Sequence, residues 1–206
     1  MGKSFAVTGE YFDPTMVNRQ RLLWAIATRR QLERWEPLVA AAVRGQMGGS
    51  VTDDADIWLT ETEHHFALVA ARNLFRALDL PPPASISIDA TLRAELIEGR
   101  DLLEHWRENQ PVFNVSPRRA QPPYPSGKSF AARNPKRGPY SWLSWNLKSG
   151  ALLLPNVPAS ALHRLLDQVQ ADVLEKDESF RAFVPPRAPS PWLEQDGEWW
   201  PRPEGG

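Results

Sequence analysis

Two stretches of the chain hold residue types whose spacing could do chemistry. The first is Arg100-Asp101-Leu102-Leu103-Glu104-His105, an arginine, a polar residue, three spacers and a histidine. Leu92, Leu96, Gly99, Leu103 and Trp106 recur at steps of three and four around it, which predicts a helix with one face turned to a core. Asp101 then lies one turn from His105 and can hydrogen-bond its imidazole. Arg100 and His105 are five residues apart, about 140° round a helix of 3.6 residues per turn. One helix therefore cannot bring both to the same small ligand. An ordinary structural reading stands beside this one: Arg100 and Glu104 have the spacing of an intrahelical ion pair.

The second stretch is basic. Between Glu108 and Asp167 there is no acidic residue, whereas Arg118, Arg119, Lys128, Arg133, Lys136, Arg137, Lys148 and Arg164 all fall there. Net charge is −1, so the rest of the chain is acidic. Such a segment would attract a polyanion, and Tyr124, Phe130, Tyr140, Trp142 and Trp145 could stack on unpaired bases. The same charges would equally serve to balance acidic helices of the chain's own domain.

The Arg-polar-three-spacer-His string resembles the signature of the HEPN superfamily, helical-bundle proteins of which many are RNases of toxin–antitoxin and phage-defence systems. The resemblance implies a helical bundle and metal-independent RNA cleavage, with no cofactor, at a site formed where the motif helices of two subunits meet. By that resemblance His105 would act as general acid or base around the ribose 2′-hydroxyl, Arg100 would hold the scissile phosphate, and Asp101 would orient the imidazole. RNA, a second copy of the chain and a cognate antitoxin or other regulatory protein are the partners implied. Asp101 departs from the pattern, because asparagine or histidine commonly follows the arginine in active members. The competing class is a non-catalytic bundle that binds a protein partner or RNA.

The elements that must position these residues follow from the rest of the sequence. At 206 residues with 42% hydrophobic and 24% charged side chains, the chain is the size of one domain with extensions. Asp13-Pro14 starts a helix that should run to Trp35 and be kinked or ended by Pro37. A second, largely buried helix is expected over 54–78, closed by Pro81-Pro82-Pro83. Along one side of it lie Glu61, His65, Arg72 and Arg76. They form either a solvated seam or the lining of a site shared with Arg100 and His105, with Arg72 as an RNA contact. Asp89 can cap the third helix, which carries the motif.

Residues 110–139 read as an irregular basic loop, and 140–155 as a β-hairpin turning at Ser149-Gly150. A fourth, amphipathic helix opens at Pro158 or Ser160 and runs through Leu162, Leu165, Leu166, Val169 and Val173. The predicted architecture is mainly α: an up-and-down helical bundle over 1–180 with an inserted hairpin, followed by an extended proline/tryptophan-rich tail over 181–206. Three tryptophans in that tail suggest that it straps onto something apolar.

Other chemistries are excluded. The chain has no cysteine, which removes disulfides, thiolate nucleophiles and Cys-ligated zinc. His64 and His65 are adjacent and leave a helix in different directions, a poor metal pair. Ser126-Gly127-Lys128-Ser129 ends like a phosphate loop, but Pro122 stands where its first glycine is needed. No apolar run approaches the roughly 18 residues of a membrane helix, and the N-terminus reads neither as a signal peptide nor as a myristoylation site. These features predict a cytoplasmic protein.

Overall fold

Asp13 opens the first helix in the way its sequence dictates: its side chain accepts the Thr15 N–H at 3.0 Å, with Pro14 in the first turn. The computed structural model describes residues 13–50, 54–82, 84–104, 145–154 and 157–203. The elements are α1 (Pro14–Met47), α2 (Asp54–Leu78), α3 (Ala90–Glu104), β1 (Trp145–Asn146), β2 (Gly150–Leu154), β3 (Val157–Pro158), α4 (Ala159–Lys176), a 3₁₀ turn (Glu178–Phe183), β4 (Trp192–Gln195) and β5 (Glu198–Pro201). The protein is mainly α, with small antiparallel strand pairs set against the helices.

Pro37 neither ends α1 nor divides it; one helix runs from Pro14 to Met47. A proline deletes one backbone hydrogen bond, the donor to the Glu33 carbonyl, and Pro37 is on the exposed side where water can replace it. Trp35 and Val39 on either side are completely buried, so packing carries the helix across the gap.

Helices α1, α2 and α4 supply most of the core. Leu32, Trp35 and Val43 of α1 meet Leu68, Leu74 and Phe75 of α2, and Leu162, Leu166 and Val169 of α4 close the same cluster. Leu96 of α3 and Leu153 and Leu154 of β2 complete it. Each such side chain contributes about 1.5–3 kcal/mol when fully buried.

Arg21 is a charged side chain buried at the edge of this apolar packing. It is 1% exposed, and it donates to the Ala77 carbonyl at 3.3 Å, the Leu80 carbonyl at 2.7 Å and the Pro82 carbonyl. These are carbonyls at and just beyond the C-terminal end of α2, the groups a helix leaves without partners. A single guanidinium on α1 therefore caps α2 and fixes the chain reversal that leads to α3.

The hairpin turns over Leu147-Lys148-Ser149, one residue earlier than the expected Ser-Gly turn, with Trp145 opposite Ala151 and Asn146 opposite Gly150. Asn146 Oδ1 closes the turn by accepting the Lys148 N–H at 2.9 Å and the Ser149 hydroxyl at 2.8 Å. Gly150 follows at φ +71°, where a side chain is disfavoured. β2 is the central strand, flanked by β1 and by β3.

Within the tail, residues 192–201 pair as two extended strands. β4 and β5 form a hairpin around Asp196-Gly197, both at positive φ, as a two-residue primed turn requires. Trp192 enters the main core, and the Trp199 N–H donates to the Leu147 carbonyl at 2.6 Å. The apolar surface that the tail straps is thus that of its own chain.

Candidate functional site

Helix α3 is the element that places the motif. Asp89 caps it, its Oδ1 accepting the Leu92 N–H at 2.8 Å. Leu96, fully buried, seats the helix on the core, and Arg93 fastens it to α2. The Arg93 guanidinium pairs with the Asp79 carboxylate just past the end of α2 and lies 5.8 Å from the centre of the Phe75 ring. The chain reverses between α2 and α3, so the two helices lie side by side in opposite directions from this pair.

Arg100 and Asp101 belong to the last turns of α3. Position 100 is one heptad beyond Arg93, and position 72 is one heptad before Asp79, each about 10 Å along its helix at 1.5 Å per residue. Arg72 is half-buried, as is His65, while Glu61 and Arg76 are exposed. Partial desolvation pushes the Glu61 carboxyl above its ordinary pKa. The seam expected from spacing thus lies on the flank of α2 that carries Asp79, next to α3.

His105 lies outside the described residues, and so do Arg118, Arg119, Lys128, Arg133, Lys136 and Arg137.

His64, the neighbour of His65, has a different environment. It is 2% exposed, its Nε2 stands 2.6 Å from the Leu153 carbonyl, and its ring lies 5.3 Å from that of Trp35. Burial pulls its pKa down to about 4, so it is neutral near pH 7 with Nε2–H donating to Leu153. This histidine joins α2 to the central strand.

Two polar features were missed by sequence reasoning. His163 of α4 and Glu36 of α1 form a largely buried pair at 2.8 Å, although 127 residues separate them in the chain. Glu95 of α3 is 4% exposed, and its Oε2 has no hydrogen-bond partner among the described residues. Helical spacing gives a hint only for Glu95, which follows Leu92 by three residues and so shares its side. The His163–Glu36 pair depends on how α1 and α4 pack, for which no local signal exists. Among the described residues no group of three or more His, Asp and Glu side chains has the arrangement of a metal site. No helix there is long and apolar enough to cross a membrane.

Comparison with protein-family models, with curated proteins and with solved structures finds no match.

Proposed function

We propose that this protein is a metal-independent RNA endonuclease of HEPN type, a cytoplasmic toxin or defence enzyme that acts as a homodimer and is held in check by a cognate antitoxin or other regulatory protein. The observation that carries the reading is the mainly α fold, with Arg100 and Asp101 on one of its helices, α3. The mainly α fold agrees with the bundle that the motif's resemblance implies.

In the proposed reaction His105 of one subunit takes the proton from the ribose 2′-hydroxyl. The 2′-oxygen attacks the adjacent phosphorus, the bond to the 5′-oxygen breaks, and that oxygen leaves with a proton taken from water, while His105 holds the 2′-hydroxyl proton until it passes to solvent. The products are a 2′,3′-cyclic phosphate and a 5′-hydroxyl end. Arg100 of the other subunit binds the non-bridging oxygens and stabilises the charge that grows on them, with Arg72 as a further RNA contact. Asp101 orients the imidazole. The basic segment from Arg118 to Arg137 holds flanking RNA through its phosphates.

Subunit mixing tests the shared site. Arg100→Ala and His105→Ala homodimers should each be inactive, and heterodimers formed from them carry one intact composite site. Part of the activity should return on mixing; proven exchange with no recovery would refute the shared geometry.

A second reading has its own observation. Trp58, Leu59 and Phe66 of α2 are 70%, 47% and 49% exposed, an apolar row suited to a protein partner. A stoichiometric protein that co-purifies at high salt, with no nucleic acid, would favour this adaptor role.

A further inference from the structure

A cleft of about 600 Å³ opens between α3 and the first half of α4, on the side of α3 turned away from α2. Thr91 and Glu95, one turn apart on α3, form one wall; Ala161, Arg164 and Leu165 of α4 form the other. Val157 and Pro158 of β3 extend the apolar surface. Glu95 is the feature that calls for a ligand. A carboxylate oxygen withdrawn from water normally has a donor, because leaving it bare forfeits its hydration without return. Glu95 Oε2 has none among the described residues, although the residue lines the cleft and the groups around it include the Ser87, Thr91 and Gln168 side chains.

We propose that this cleft binds a nucleotide whose base carries an exocyclic amino group, with that amino group donating to Glu95. Three properties of the cleft select this chemistry. Glu95 offers an acceptor and no donor, which suits the amino edge of cytosine or adenine and opposes the carbonyl edge of uracil or hypoxanthine. Leu92, Val157, Pro158 and Leu165 supply an apolar surface against which a flat ring loses little on leaving water. Arg164 is exposed at the cleft and carries the positive charge that a nucleotide phosphate needs. The other acid there, Asp89, is engaged as the cap of α3 through Oδ1 and sits at the positive end of that helix. A volume of about 600 Å³ accommodates a whole nucleotide and is larger than an amino acid or a simple amine would fill.

The proposal does not rest on the nuclease reading. Glu95 follows Arg93 by two residues, about 200° round the helix, so the cleft and the α2-facing arginine row occupy opposite flanks of α3. A catalytically inactive protein would still show the base preference.

Calorimetric titration of the full chain with CMP, UMP, AMP and IMP tests it, since within each pair a carbonyl replaces the amino group and the adjacent ring nitrogen changes from acceptor to donor. CMP should bind at least about tenfold tighter than UMP, and AMP than IMP, the effect of one well-made hydrogen bond to a charged group. Glu95→Gln, whose amide can donate as well as accept, should bring both ratios close to one. Because Glu95 is buried, the exposed Arg164→Ala provides a second arm: it should reduce CMP to the affinity of cytidine while keeping the preference for the amino base. Equal binding within both pairs, no binding of any of the four, or an unchanged preference in a folded Glu95→Gln protein would overturn the assignment.

Discussion

Arg93 of α3 is ion-paired with Asp79 at the end of α2, and the same guanidinium lies over the Phe75 ring. This one side chain marks the level at which α3 meets the end of α2. Its two partners differ in energetic weight. The Arg93 and Asp79 side chains are 36% and 51% exposed, so solvent screens their attraction. Phe75 is 1% exposed and belongs to the core.

Arg93→Ala should therefore change stability by only about 0–1 kcal/mol, whereas Phe75→Ala should cost about 3–5 kcal/mol. Urea denaturation of the two variants checks the difference. A large loss from Arg93→Ala would mean that the surface pair, rather than the core beneath it, seats α3.

Gly150 is held by two independent constraints. Its φ is +71°, and a β-carbon placed on it would stand 3.3 Å from Cδ2 of Trp192. Gly150→Ala should destabilise by about 1–3 kcal/mol, from backbone strain together with displacement of the indole. Tryptophan fluorescence should report a changed Trp192 environment alongside the lower denaturation midpoint.

The buried His64 makes stability depend on pH in a defined window. Its folded pKa of about 4 is below its ordinary value of 6.5, so the unfolded chain binds the proton more readily between those limits. The contribution is complete above pH 6.5 and is lost as pH falls towards 4, by an amount on the order of 3 kcal/mol. His64→Gln keeps a donor for the Leu153 carbonyl and cannot titrate, so it should flatten this part of the profile. Urea midpoints at pH 7 and pH 4.5 for both proteins measure the difference.

The elements that sequence made legible are those whose signals are local. Asp13-Pro14 and Asp89 mark helix starts through their own side chains, and the three- and four-residue spacing of Leu162, Leu165, Leu166 and Val169 marks the buried face of α4. What escaped depends on distant partners. Pro37 is a helix breaker by its own chemistry, and only the packing of Trp35 and Val39 overrules it. The β4–β5 turn at Asp196-Gly197 was a local signal, obscured by the prolines on both sides. For the site, spacing identified the Glu61–Arg76 seam and the motif helix. Glu95 became a candidate only once α3 and α4 enclosed a cleft around it.

The central claim is tested most directly by incubating a labelled single-stranded RNA with the full chain in EDTA-containing buffer and resolving the products, beside Arg100→Ala and His105→Ala under the same conditions. The account predicts fragments ending in 2′,3′-cyclic phosphate from the wild type and none above background from either variant, with all three proteins unfolding at nearly the same temperature. Cleavage by both variants at the wild-type rate, or an intact RNA with folded, dimeric wild type, would contradict it.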